Sequence, residues 1–341
     1  MFSWVSTALL LFLFLFHGCT GPGSGTTARL QHRAVGSAPE TIALYEAWFG
    51  LPEHISVGYS SQDPAVLKQQ IHHAQAMGIS AFVVDWYGDR EPFIDRAYQL
   101  MQQAAAKNHF HIAMMYDETD ADDGATDETI ADFTMFHDTY LAPNAPGHQA
   151  YLTYEGRPVI FIFPKGRHTD WTKVRAVVNR WQPAPLLIEE NLPEPGDGGA
   201  FDGYYAWVSP GWVAPGQKAA SQDGSNWGDQ YLSNFYETMK KYPDKIIVGG
   251  AWAQFNDAKA SWGLNRHISA RCGQTFKDTL NYWHTEFPPD QPIPFLMLET
   301  WNDYEEGTAI ERGLPTCSPD GAASSSASAA PPAPDRSKTQ Q

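Results

Sequence analysis

"DPAVLKQQIHHAQAMGISAFVVDW", residues 63–86, holds the repeat that decides the fold. Its first part is amphipathic at helical spacing, with Asp63 placed to cap, Pro64 in the first turn and Gly78 at the end. Its second part, Ser80–Trp86, is a short apolar and β-branched run that reads as a buried strand. Runs of the same kind stand at Ile42–Trp48, His111–Asp117, Pro158–Phe163, Pro185–Glu190, Asp202–Trp207, Lys245–Trp252 and Pro294–Thr300. They are continuously apolar rather than alternating, as in a sheet covered on both faces. Helix-like segments separate most of them. The stretch "NLPEPGDGGAF" (191–201), between the fifth and sixth runs, is too short and too rich in Gly and Pro for a full helix.

Eight strands with mostly helical crossovers predict an α/β fold, a single (β/α)8 TIM barrel over residues 40–317 whose final helix is short or missing. A doubly wound open sheet is the alternative. It calls for a Gly-rich phosphate turn after an early strand, and "GPGSG" (21–25) follows no strand and lacks the Lys of a P-loop.

The flanks have other compositions. Residues 1–19 read as a signal peptide, with an apolar run from Ala8 to Phe16 too short to span a bilayer. Gly18-Cys19 before a Gly/Ser/Thr-rich linker (20–39) is similar to a lipoprotein cleavage site, which makes Cys19 a lipidation candidate and periplasmic or cell-surface attachment an expectation; ordinary secretion is the alternative. Residues 318–341 form a low-complexity tail expected to be disordered. An exported protein would allow Cys272 and Cys317 to pair, but spacing does not establish that they do.

The formal net charge is −16 and no Lys/Arg cluster occurs, so a nucleic-acid backbone is excluded as a partner. Aromatic residues reach 13%, with 12 Trp, and rings in quantity with few cations suit stacking on sugars as well as a Trp-rich core.

In such a barrel the active site lies at the C-terminal ends of the strands. Strand one ends in Tyr45, Glu46 and Trp48, strand two in Asp85, Trp86 and Tyr87, and strand three in Tyr116, Asp117 and Glu118. Strand six brings Tyr205 and Trp207, strand seven Trp252, and strand eight Trp301, Asn302, Tyr304 and Glu305. Nearly every strand thus delivers a ring, an acid or both to one rim, as a glycan-binding cleft requires. Glycosidic cleavage also needs two carboxyl groups, one of them with a raised pKa. Asp303 and Glu306 are three residues apart, and one helical turn would set them about 5–6 Å apart at Cβ, close enough to split their pKa values. They are the candidate catalytic pair, with Glu305 between them pointing elsewhere.

Two stretches carry a family resemblance. "VGYSSQDPAVLKQQIHHAQAMGISAFVVDWYG" (57–88) and "WNDYEEGTAIE" (301–311) resemble glycoside hydrolase family 99, the endo-α-mannosidase group, and "TWNDY" (300–304) is similar to family 71, the α-1,3-glucanases. The resemblance implies Glu306 as acid/base, Asp303 in the place of the carboxylate that family 99 directs at the sugar 2-hydroxyl, and Tyr59 and Trp86 in the glycone pocket. Asp303 stands where family 99 has Glu, Tyr304 where it has Trp, and Glu305 where it has His. The reading is an exported glycosidase of the wider 71/99-like group acting on an α-linked glycan. A non-catalytic glycan-binding barrel is the alternative, and a barrel enzyme of other chemistry a third.

Other signals carry little. The acidic run "YDETDADDGATDE" (116–128) fails the EF-hand pattern, no His/Cys cluster has zinc spacing, and no cofactor motif is present. Arg266 and Arg271 stand near the seventh strand's loop, where they would close the cleft, bind an anionic sugar or serve structure alone.

Overall fold

The computed structural model describes residues 38–119, 123–166, 168–213, 217–219, 223–288, 291–317 and 323–324. The leader with Cys19, the linker up to residue 37 and most of the tail lie outside the described residues.

Eight parallel strands close into a barrel: β1 (Glu40–Tyr45), β2 (Ala81–Trp86), β3 (His111–Asp117), β4 (Arg157–Phe163), β5 (Leu186–Glu190), β6 (Gly203–Tyr205), β7 (Ile246–Ala251) and β8 (Phe295–Leu298). Each pairs with its sequence neighbour, and β1 pairs with β8 from Glu40 opposite Phe295 to Ala43 opposite Leu298, which closes the ring. Six helices cover it: α1 (Pro64–Ala76), α2 (Pro92–Lys107), α3 (Ala125–Phe136), α4 (Trp171–Val178), α5 (Ser225–Met239) and α6 (Gln274–Glu286). Between β5 and β6 the Gly/Pro stretch makes only a 3-10 turn, Pro195–Asp197. Among the described residues no helix follows β8.

Local chemistry accounts for the repeat unit. Asp63 Oδ1 accepts from the Ala65 amide at 2.8 Å and Pro64 occupies the first turn of α1. Gly78 takes φ +83° beyond its end, where a side chain would be strained. The chain then enters β2, all six residues of which are buried.

The strand ends obey a period of two. Leu44, Glu46 and Trp48, then Asp85 and Tyr87, then Met115 and Asp117 face the interior at the C-terminal rim, where they line one cavity. The residues between them turn outward to the helices. Tyr45 reaches Gln70 of α1, Trp86 reaches Asp95 of α2, and Tyr116 reaches Asp132 of α3. Cys272, just before α6, and Cys317 form a disulfide with Cα atoms 4.9 Å apart, so the chain beyond β8 is bound to the α6 edge.

Candidate active site

The rim cavity holds about 630 Å³, a volume in the range of small-ligand sites. Its wall carries the acids Glu46, Asp85, Asp117, Asp303 and Glu306, the rings Trp48, Tyr87, Trp207 and Trp262, and Lys165 from the loop after β4.

Asp303 and Glu306 belong to a tight turn that follows β8. Asp303 Oδ1 accepts from the amides of Glu305 and Glu306 at 2.9 and 2.8 Å, while its own amide donates to Thr300 Oγ1. This Asx-type cap fixes the turn and leaves Oδ2 for a reacting group. Burial, then the charge of Glu306, push the Asp303 carboxyl up to about 8, although the two amides favour its ionised form. Glu306 is raised by burial too, held back by the Trp262 indole N–H and the charge of Arg266. That indole donates to Glu306 Oε1 at 3.0 Å. Arg266 is itself anchored on the fully buried Asp257 at 2.8 Å.

A sleeve of rings stands over the pair. Trp48 stacks on His54 with centroids 4.6 Å apart, and Trp262 meets Trp48 edge-on at 5.9 Å. Glu305 holds this sleeve: its Oε2 lies 2.7 Å from His54 Nδ1, and its Oε1 accepts from the Ile55 amide. The turn thus sends Asp303 and Glu306 into the cavity and Glu305 into its frame.

The second acid group lies at the ends of β1 to β3. Glu46 is held well above the carboxylate range by burial and then by Asp85, Asp303, Glu306 and Asp117. Asp85 is pushed up to about 6 by burial, with relief from Tyr87 and Lys165. Asp117 rises through burial and Asp85, and Lys165 pairs with it at 2.5 Å.

Several residues picked at strand ends lie away from the cavity. Tyr45, Trp86, Tyr116, Trp252 and Trp301 are buried core side chains; parity on the strand turns the first three outward to the helices, and Trp301, beyond β8, packs on Phe82 and His73. Tyr205 points inward but sits below the cavity, where its hydroxyl donates to the Ile162 carbonyl. Asn302 is fully buried and spends its amide on Glu46, donating to that residue's carbonyl at 2.9 Å and accepting from its N–H at 2.7 Å. Tyr59 and Tyr304 both donate to Glu311 Oε2, and Gln70 donates to Glu311 Oε1, so these two tyrosines anchor the end of the motif instead of lining the cavity. Tyr304 lines a second cavity of about 530 Å³. Glu118 is 1% exposed and accepts from the Lys165 amide, which positions that loop. Trp48, Asp85, Tyr87, Trp207, Asp303 and Glu306 do come together on the wall.

Sequence reasoning put Glu46 and Asp117 at the rim without assigning them a role, and passed over Lys165, His54 and Trp262. Parity would have picked out Glu46 and Asp117, two residues on from the inward-facing Leu44 and Met115. Nothing local marks the others, which arrive on loops. Among the described residues no cluster of His, Cys, Asp and Glu is arranged to hold a metal ion.

Comparison with known proteins agrees with this architecture. The family model of glycosyl hydrolase family 71 matches residues 54–323. No curated protein matches the chain. Among solved structures, the GH99 endo-alpha-mannosidase from Bacteroides thetaiotaomicron in complex with bis-tris-propane is 18% identical, with a TM-score of 0.62 over 82% of this chain and 89% of that one. A second structure of that enzyme is 17% identical (TM-score 0.60, 82% and 90% covered). A protein described as glycoside hydrolase-like is 15% identical (TM-score 0.60, 82% and 88% covered). At these identities the likeness concerns the barrel itself.

Proposed function

The chain belongs to glycosyl hydrolase family 71 and is a glycoside hydrolase, and on that premise we propose that it cleaves an α-linked polysaccharide with Asp303 and Glu306. One observation carries the reading: buried Asp303 and half-buried Glu306 stand on one turn in the wall of a single cavity, beside Trp48 and Trp262. Two carboxyl groups there cannot both ionise cheaply. The pair therefore keeps a proton in the neutral range, as protonation of a leaving oxygen demands. For cleavage that proton has to sit on Glu306, with Asp303 ionised as substrate binds. Glu306 Oε1 is steadied by Trp262, and Oε2 is left to face the glycosidic oxygen. Asp303, fixed by two amides, supports positive charge at the reacting carbon or takes a proton from the nucleophile. The rings hold the apolar faces of the sugars.

Family membership and the resemblance of "TWNDY" to the α-1,3-glucanases put α-1,3-glucan first among the substrates to try. The purified protein should release reducing sugar from at least one of α-1,3-glucan, other α-glucans and α-mannan. Glu306→Gln should abolish that release while leaving the far-UV circular dichroism unchanged. Full turnover in that variant would remove Glu306 from the mechanism.

Export belongs to the same proposal. The 1–19 leader and the Cys272–Cys317 bridge both suit an oxidising compartment. Radiolabelled palmitate should enter the wild-type protein and not Cys19→Ala; equal labelling of both would remove the lipid anchor.

A further inference from the structure

Glu46 and Asp85 are the acids of the cavity that the reaction leaves idle. They extend the registered pair Tyr45–Val84 by one residue on adjacent parallel strands. Their backbones are therefore one strand spacing apart, about 4.8 Å. Glu46 is 4% exposed and Asp85 6%, and both line the cavity. Tyr87 supports Asp85, and the two carboxyls touch each other. Even so, Glu46 Oε2 and Asp85 Oδ1 have no hydrogen-bond partner in the protein. Such acceptors are costly to leave unsatisfied. The frame does not let Glu46 turn away, because Asn302 grips its backbone N–H and carbonyl across the β1–β8 seam. The cations nearby are paired elsewhere: Lys165 bonds Asp117 and gives Asp85 only the relief of its charge, and His54 is engaged with Glu305.

Two fixed acceptors, one strand spacing apart and beside the reacting turn, match hydroxyls on neighbouring carbons of a pyranose ring. A proton carried by one of the two carboxyls lets that group donate to a sugar hydroxyl while the other accepts. Hydroxyls satisfy it without placing a further charge in the pocket. Resting on the glycosidase reading above, we propose that Glu46 and Asp85 form the sugar-specificity floor of the site, gripping adjacent hydroxyls of the ring bound next to Asp303 and Glu306. They act in binding and placing that ring, while proton transfer belongs to the β8 turn.

The test separates binding from turnover. In a Glu306→Gln background, calorimetry measures the affinity of α-1,3-linked gluco- and α-linked manno-oligosaccharides. Adding Glu46→Ala should weaken the tightest of these at least tenfold, with Asp85→Asn severalfold and Glu46→Gln in between, since the amide keeps one acceptor. Thermal melting at pH 7 should meanwhile hold or rise for Glu46→Ala, because an unsatisfied buried carboxyl has gone. A purely structural Glu46 would instead lower the melting temperature. Oligosaccharide bound equally well with and without Glu46→Ala overturns the floor and leaves the glycosidase reading standing. No binding of any probe to the Glu306→Gln parent overturns both. A 2-deoxy or 3-deoxy monosaccharide that competes as well as glucose would also remove the hydroxyl grip.

Discussion

Strand β8 and the turn after it present acids in two settings, and the contrast between them explains the site. Glu299 is 1% exposed, enclosed by barrel and helix side chains and absent from the cavity wall. Neither of its oxygens has a hydrogen-bond partner of good geometry, and only the Val208 backbone lends weak help. It fits because Gly250 faces it: a Cβ there would stand 2.4 Å from Glu299 Oε1. Burial, then Glu190, hold it well above the ordinary carboxylate range. Asp303 is about as buried, at 3%, but two amides anchor it and it opens on the cavity. Desolvation raises both carboxyls. Only the second is aimed, and only the second can be reached by a substrate. A raised pKa by itself therefore does not mark a reactive group here; a raised pKa with a fixed orientation and an open face does.

The widest gap expected between the two settings is in turnover. Asp303→Ala should lower kcat by about 10³-fold or more, within the range of positioned acid–base groups and nucleophiles. Glu299→Met should leave kcat within threefold of wild type. A large loss in Glu299→Met, with an unchanged melting temperature, would break the contrast.

Stability should sharpen it next. A carboxyl raised from 3.8 to about 8, as Asp303 is, favours the folded state fully below pH about 4. That contribution is lost as the pH climbs toward about 8, because the unfolded chain ionises freely while the folded one resists. Glu46 and Glu299, raised as well, add in the same direction. The melting temperature should therefore fall by several degrees from pH 5 to pH 8. Glu299→Met should flatten that slope and raise the melting temperature at pH 8 by a few degrees, worth about 1–3 kcal/mol. Calorimetric scans across that range check both statements.

A smaller effect is expected from the frame of the turn. Glu305→Gln weakens the tie to His54 and Ile55, so the Trp48–His54 stack loosens. KM should rise several-fold with kcat changed less than threefold, which steady-state kinetics resolves. The smallest is a shift in pH dependence. The Trp262 N–H stabilises ionised Glu306, so Trp262→Phe raises that group's pKa. The alkaline limb of the pH–rate profile should move up by less than one unit.

Much of the barrel could be read from the chain. Eight apolar runs, the Asp63–Pro64 cap of α1 and the missing crossover before β6 follow from local propensity, which tertiary contacts here reinforce. The spacing of Asp303 and Glu306 suggested one turn, and the two acids do stand on one turn, joined by the Glu306 amide to Asp303. Which rings face the cavity was harder. A strand end offers consecutive side chains to opposite faces, and choosing by residue type alone assigned Trp86 and Tyr116 to the substrate when they belong to the helices. Applying the inward parity of Leu44, Asp85 and Met115 would have recovered Glu46 and Asp117. Trp262 and His54 lie on loops whose paths depend on distant anchors, Asp257 and Glu305, and no local pattern announces them.

The Asn302 grip on Glu46 joins the first strand of the barrel to the turn after the last. Residues 256 positions apart in sequence are thus clasped behind one wall, and no shorter piece of the barrel contains that clasp. A growing chain still short of Asn302 has neither the β8 acids nor the clasp that sets Glu46. If those acids act as proposed, catalytic competence arrives at ring closure, and chains truncated before Asn302 are inert toward the glycan, whatever helices and strands they retain.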